Sequence, residues 1–405
     1  MSGSRLLLVH RYFWPDTPPY ATILREIAHR LREDGHQVQV LSAQPSYKPA
    51  AGIERRPWRE SLDGFVVRRV RAIDNSRSGI KAAAGHASFV LLAFWALIAG
   101  RKRDIVMCST VPPILLSSAL SIGAKIRGAR FIYHCMDLHP DVSVKEGRMS
   151  TLQKLMRRVD TATCRRADAI IVLSGDMKRT LVQRDPALAA KIAVINNFDL
   201  RDVDETLSAT PLERGSRLRV VFTGNLGRFQ GLVELADAVA ESGLPIELVL
   251  MGDGAVASAL RERQREDLDG PAIRVLAHGS ASEARALMRT ADLGLVSLVP
   301  GVIRSAYPSK TVTYLAEGLP LLAVVDDDSE LARTVTEHGI GHQVAPGDIE
   351  GIVSVLKTLC NDRDAIARLR ERVAEYAANQ LDRDEVLQRW AELISHTAGR
   401  SGENA

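Results

Sequence analysis

Short apolar blocks alternate with longer stretches of helical periodicity along most of this chain. Residues 6–9, 38–41, 104–108, 131–134 and 169–173 are strand-length blocks of the kind that is buried on both faces of a sheet. Between the first two, residues 21–33 set Ile23, Ile27 and Leu31 at helical spacing on one face. A polar, loosely patterned stretch, 199–217, reads as a linker. A second series then begins, with strands at 218–222, 246–251, 273–276, 293–296 and 321–325. Residues 353–395 are helical in pattern and rich in charge, and no tandem repeat or low-complexity segment interrupts the order. This is the βαβ rhythm of parallel sheets covered on both faces, so the pattern predicts an α/β chain of two doubly wound domains. Such sheets bind ligands at the carboxyl ends of their strands, and a cleft between the two domains is the expected site.

A length of 405 residues agrees with two domains, because one core rarely grows that large. The expected division is 1–205, 206–380, and a final helix and tail over 381–405. The formal net charge of +4 hides an asymmetry. Residues 1–205 hold 32 Lys and Arg against 20 Asp and Glu, and the remainder holds 21 against 29. The first half is therefore expected to face an anionic partner. With no nucleic-acid motif and few aromatics among the basic residues, a membrane surface fits better than nucleic acid. Cys108, Cys135, Cys164 and Cys360 have no paired or metal-type spacing, which argues for a reducing compartment and against a zinc site. The apolar run at 6–9 is read as a strand rather than part of a signal peptide.

Two segments carry candidate phosphate chemistry. In Tyr307-Pro-Ser-Lys-Thr-Val-Thr-Tyr-Leu-Ala-Glu-Gly-Leu-Pro320, Ser309 is a suitable N-cap, and Gly318 followed by Pro320 is a suitable stop. Lys310 then lies in the first turn, where a cation is unfavourable unless an anion sits there too. A bound diphosphate would resolve that conflict; the alternative is a capped helix with a solvated lysine. Gly224-Asn-Leu-Gly-Arg-Phe-Gln-Gly231 follows a strand and precedes a helix beginning near Leu232. Its glycines let a backbone approach a diphosphate, although a tight strand–helix turn would need them as well. The spacing is not that of the dinucleotide fingerprint, and no acidic ribose partner stands out, so a nicotinamide dehydrogenase is disfavoured. Gly252-Asp-Gly254 ends the next strand of the series.

Six segments in order resemble family 4 glycosyltransferases, in particular the bacterial subgroup that builds O-antigen, capsule and colanic-acid-type polysaccharides. They are Arg11-Tyr-Phe-Trp-Pro-Asp16, Gly35-His-Gln-Val-Gln-Val-Leu41, Asp137-Leu-His-Pro-Asp141, Arg166-Ala-Asp-Ala-Ile-Ile-Val-Leu-Ser174, the glycine loop, and the Lys310 segment. The resemblance implies the GT-B fold: two Rossmann-like domains facing a cleft, with the last helix, near 385–395, crossing back onto the first. It implies a nucleotide-sugar donor, UDP by family habit with GDP as the alternative, held by Gly224, Asn225, Arg228, Gln230, Gly252, Gly254, His278, Ser309, Lys310 and Thr313. His278 would lie near the nucleobase. Many family members carry Arg and Lys where this chain has Asn225 and Gln230, and the polysaccharide subgroup shares the Asn and Gln. Arg228 and Lys310 are then the candidate cations. The family's Glu-x7-Glu pair falls on Ser305 and Thr313, so both carboxylates are replaced. Asp137 is the expected group for the acceptor hydroxyl or its proton, with His134 and Asp141 as further acid–base candidates.

Retaining members of this family are thought to use front-face displacement, which needs cations and helix dipoles on the phosphates and neither metal nor cofactor. The expected activity is transfer of a sugar to a lipid-linked or glycolipid acceptor. A GT-B-type nucleotide-sugar epimerase and a catalytically silent partner subunit are the competing readings. His86 to Gly100 is apolar on every face, too short to span a bilayer, and flanked by Arg68, Arg69, Arg71, Arg77, Lys81, Arg101, Lys102 and Arg103. Either this is a buried helix or its edge dips into headgroups. The second reading predicts a cytoplasmic protein bound peripherally to the inner face of the membrane.

Overall fold

The structure is a computed structural model that describes residues 3–16, 19–46, 55–73, 79–144, 148–200, 215–267 and 269–399. Most of the predicted linker lies outside these residues. The chain forms two compact units, Met1–Asn197 with Asp384–Ala405, and Phe198–Arg383.

The first unit runs β1 (Arg5–Val9), α1 (Pro19–Glu33), β2 (Gln37–Ala43), β3 (Arg59–Leu62), β4 (Phe65–Val70), α2 (Gly79–Ile98), β5 (Ile105–Ser109), α3 (Leu115–Ile126), β6 (Arg130–Cys135), α4 (Thr151–Arg166), β7 (Ala169–Val172), α5 (Gly175–Arg184) and β8 (Ile192–Val194). Its sheet order is β3-β4-β2-β1-β5-β6-β7-β8. The pairings are parallel except β3 with β4. Strands β5 and β7 are buried along their whole length, which is why they read as unbroken apolar blocks. The hairpin β3–β4 escapes that reading, because its strands carry Arg59, Glu60, Arg68 and Arg69. Its signal is the Asp63-Gly64 pair, with φ of 48° and 81°, a two-residue turn of the kind that matches strand twist.

The second unit runs β9 (Leu218–Asn225), α6 (Leu232–Glu241), β10 (Ile246–Asp253), α7 (Ala257–Arg261), β11 (Arg265–Glu266), β12 (Ala272–Leu276), α8 (Ala281–Thr290), β13 (Leu293–Ser297), α9 (Lys310–Ala316), β14 (Leu321–Val324), α10 (Glu330–His338), β15 (Gly341–Val344), α11 (Ile349–Asn361) and α12 (Arg363–Gln380). The sheet order is β11-β12-β10-β9-β13-β14-β15. Alternation along the central strands fills a core on each face: Val220 and Phe222 pack into one layer, and Val221 into the other. Burying each such side chain contributes roughly 1.5–3 kcal/mol. In both sheets the order reverses beside the first strand of the unit, at β1/β5 and at β9/β13. These are the switch points at which doubly wound sheets bind ligands.

The last helix, α13 (Arg383–Gly399), packs on the first unit, as the GT-B expectation required. Trp390 is buried against the His134 ring at 4.9 Å, and Arg389 donates to the Val194 carbonyl. The apolar segment at 86–100 is mostly α2, neither wholly buried nor wholly exposed. Phe89, Ala93 and Leu97 face the core, whereas Leu91 and Trp95, 60% and 62% exposed, face out.

Candidate functional site

In the second unit the glycine loop leaves β9 at the switch point. Strands β9 and β10 pair in parallel to their last residues, with Gly224 opposite Gly252 and Asn225 opposite Asp253. They come so close that a Cβ on Gly252 would fall 1.8 Å from the Gly224 carbonyl oxygen, and Gly252 has φ +155°. No side chain fits there, so the two glycines fix the contact between the two loops. Beyond them Leu226 N–H donates to Asp253 O at 3.0 Å, and Val256 N–H donates to Leu226 O at 3.0 Å. Gly254 is packed against the same Leu226 carbonyl.

The rest of the loop is clamped from β13. Ser297 Oγ donates to Gln230 O, and Val299 N–H donates to Phe229 O at 2.9 Å. The side chains of Asn225 and Gln230 both lie against Gly227, and the buried Oε1 of Gln230 has no hydrogen-bond partner among the described residues. Arg228 is exposed and forms no ion pair among the described residues. The loop therefore offers a free guanidinium and an unsatisfied amide oxygen on a backbone held at both ends.

Lys310 begins α9, and its Nζ lies 3.3 Å from the centroid of the Phe222 ring on β9. The side chain is half-buried, and burial pushes its pKa down to about 7. A cation over an aromatic face gains roughly 0.5–2 kcal/mol, which only partly offsets the lost hydration. One turn on, Tyr314 Oη accepts from the Thr223 N–H at 2.9 Å. That reach crosses β13 at Gly294, where a Cβ would meet the Tyr314 ring at 2.6 Å. At the far end of α9, Glu317 accepts from Arg289 at 2.8 Å and also from Arg285. Helix α9 is thus registered on β9, and Lys310 stands beside the start of the glycine loop. The sequence reading missed Phe222, Ser297 and the Thr223–Tyr314 tether; each lies on a strand or helix whose pattern shows burial but not pairing.

Other predicted residues fall differently. Ser309 precedes α9 in a helical conformation and makes no side-chain cap hydrogen bond, which corrects its reading as an N-cap. Ser309 is exposed. Gly318 does end the helix, with φ +71° and Leu319 N–H donating to Tyr314 O at 2.9 Å. Thr313 is half-buried on α9, Ser305 is buried, and His278 is exposed in the loop after β12.

In the first unit Asp137 follows β6. Its carboxyl meets no hydrogen-bond donor among the described residues, and burial raises its pKa to about 6. Asp141 is committed elsewhere, to Arg184 and more distantly to Arg157 at 3.8 Å. Arg184 also donates to Asp160 at 2.9 Å, and Tyr133 donates to Asp160 at 3.0 Å. This buried network holds the segment that carries Asp137. His134 is a core residue: Nδ1 bonds Tyr20 Oη at 2.9 Å, Trp390 covers the ring, and burial lowers its pKa to about 3.

Two doubly wound sheets, one of them with a glycine loop and a half-buried lysine beside its switch point, define a two-unit α/β class of ligand-binding protein. Comparison makes it specific. A family model for the glycosyl transferase 4-like domain matches residues 20–197, and one for glycosyl transferases group 1 matches residues 217–362. The chain belongs to the family 4-like glycosyltransferases with the GT-B fold, and it is a glycosyltransferase. It is 24% identical over 390 residues to WcaI of Escherichia coli K12, named for colanic acid biosynthesis, covering 90% of this chain and 93% of that one. It is 25% identical over 273 residues to WbjE of Pseudomonas aeruginosa, named as a glycosyltransferase, covering 64% and 67%. Among solved structures, sucrose-phosphate synthase of Thermosynechococcus elongatus superposes with a TM-score of 0.72 at 15% identity over 97% of this chain and 98% of that one. HepE of Anabaena, solved with UDP and glucose, gives 0.67 at 18% identity over 97% and 100%.

Proposed function

We propose that this chain transfers a sugar from a UDP-linked donor to a lipid-linked or glycolipid acceptor in bacterial cell-surface polysaccharide biosynthesis. The observation that carries this reading is Lys310, half-buried over Phe222 with its charge disfavoured, beside a glycine loop clamped at both ends. A diphosphate restores the charge of Lys310 and accepts from the loop backbone, and Arg228 adds a second cation. Gly224, Asn225, Gln230, Gly252 and Gly254 shape that cradle, with Ser309, Thr313 and His278 as further donor contacts. The solved complexes of HepE with UDP and with UDP-glucose support a UDP-linked donor in a protein of this fold.

Transfer proceeds with retention and without a metal. The bond from the anomeric carbon to the diphosphate breaks, the acceptor oxygen bonds the same face of that carbon, and its proton passes to a diphosphate oxygen. Asp137 orients the acceptor hydroxyl. Incubating the protein with UDP- and GDP-sugars tests the reading. Stabilisation by UDP with release of UDP on adding an acceptor lipid is expected. A change of sugar configuration with no release would mean an epimerase, and nucleotide binding with neither outcome would mean a silent partner subunit.

The same reading includes peripheral attachment to the inner face of the membrane through the first unit. Among the described residues no helix is long and apolar enough to cross a membrane. Support comes from the layer of α2, α3 and α4, whose outer side exposes Leu91, Trp95, Leu115, Ile122, Ile126 and Leu155.

A further inference from the structure

A cavity of about 380 Å³ opens at the carboxyl ends of β2 and β4, lined by Gln44, Arg55, Arg56, Trp58, Arg71 and Ile73 among others. Ala43 and Val70 are the last paired residues of these two parallel strands, so Gln44 and Arg71 lie on the carboxyl edge of the first sheet, the edge that also carries its β1/β5 switch point. The wall opposite is held in place. Gln44 Nε2 donates to Arg56 O at 3.0 Å, and Arg56 N–H donates to Gln44 Oε1 at 3.1 Å. Arg69 N–H donates to Trp58 O at 2.9 Å, which fixes the far end of the same segment.

The charges are unequally committed. Arg56 donates to Glu60 at 2.9 Å and stacks 4.9 Å from the Trp14 ring. Arg55 and Arg71 are exposed and pair with nothing among the described residues. Residues 55–71 hold six arginines and two acids, and both acids are taken: Glu60 by Arg56 and Arg69, Asp63 by Arg25. Two free guanidiniums in a concave, positive site suit a phosphate or diphosphate, which they grip in a fork geometry. Beside them Trp58 and Ile73 are 57% and 56% exposed, so both present apolar surface at the cavity.

We propose that this cavity is the acceptor's phosphate site, taking a phosphate or diphosphate ester whose apolar chain lies on Trp58 and Ile73. It rests on the lipid-linked acceptor of the reading above. Free phosphate and bilayer headgroups share part of this chemistry, so the probes separate them. Farnesyl diphosphate, inorganic pyrophosphate and phosphatidylglycerol vesicles are titrated against the full chain without donor, read by calorimetry and tryptophan emission. Farnesyl diphosphate is expected to saturate, and to bind more tightly than pyrophosphate. Changing Arg55→Ala and Arg71→Ala together is expected to weaken both by about tenfold or more, with UDP binding retained as the check on folding. Trp58→Phe is expected to weaken farnesyl diphosphate only.

Unchanged farnesyl diphosphate affinity in the double variant overturns the site. Equal affinity for pyrophosphate overturns its apolar half. Vesicle binding that depends on these arginines, with no binding of the soluble diphosphate, assigns them to the bilayer and overturns the acceptor site. Sugar transfer with an acceptor KM unmoved by the double variant also overturns it while leaving the transferase reading intact. Farnesyl diphosphate binding without any transfer does the reverse.

Discussion

At the scale of single residues, Lys310 and Asp137 are both ionisable groups that burial holds away from their charged forms, and each has a pH signature. Lys310 is lowered to about 7, so above that pH the free protein carries it largely neutral. A bound diphosphate raises the pKa again, so binding takes up a proton between about 7 and the higher pKa of the complex. Nucleotide affinity is therefore expected to fall as pH rises through that window, by up to about tenfold per unit. Calorimetry in two buffers of different ionisation enthalpy measures the uptake. Lys310→Ala should abolish it and weaken UDP by roughly 10- to 150-fold, the worth of a charge-assisted contact. Unchanged affinity would remove Lys310 from the site. Asp137 is the opposite case, raised to about 6 from an ordinary value of 3.8. Between those values the unfolded chain has lost a proton that the folded chain keeps, so stability falls as pH rises through 6. Asp137→Asn should then stabilise the protein at pH 7.5, by up to about 3 kcal/mol, with a benefit that shrinks below pH 6. It should reduce turnover far more than donor binding. Turnover within about twofold of the parent, measured beside the melting curves, would make the carboxyl structural. Lys310 was legible in the sequence as a cation at a helix start, but its seat on Phe222 was not, because no local pattern links β9 to α9.

At the scale of elements, strands buried on both faces were the legible ones, since continuous apolar blocks leave one reading. The β3–β4 hairpin was not legible, because its pairing sets Arg59 directly opposite Arg68 and its strands look like loop. The same limit applied to α2. Its sequence is apolar all round, and only packing divides it into a core stripe and an outer stripe at Leu91 and Trp95. Helices α2 and α3 hold no acid, and α4 holds only Asp160, which is buried and paired with Arg184. Arg101, Lys102 and Lys125 are exposed at the ends of α2 and α3, whereas Arg103 is turned inward to Gln39. An apolar face rimmed by cations fits an anionic bilayer, each cation adding about 1 kcal/mol. Co-sedimentation should therefore favour anionic over neutral vesicles and weaken with salt. Changing Arg101, Lys102 and Lys125 to Gln should lower partitioning more than tenfold, and Trp95→Ser should remove the part that survives high salt. Equal binding to neutral and anionic vesicles would sink the electrostatic half.

At the scale of the whole molecule, the division into two α/β units was legible from two series of strands. The return of the C-terminal helix was not, except through family resemblance. A charged amphipathic pattern tells that α13 buries one face, not which sheet receives it. In the structure that face carries Val386, Leu387, Trp390 and Ile394, and Trp390 closes over His134 and, through it, Tyr20 of α1. Arg30 of α1 also reaches Gln388 of α13. Helix α13 therefore completes the core of the first unit, while 198–383 form the second unit. Trp390→Ala should cost roughly 3–5 kcal/mol, the range for truncating a buried aromatic. The loss should fall on the first unit: an earlier calorimetric transition, with nucleotide binding by the second unit retained at temperatures below it. A melting profile like the parent's would mean that α13 is dispensable to that core. Loss of nucleotide binding while the first transition stays put would mean that the helix supports the second unit instead.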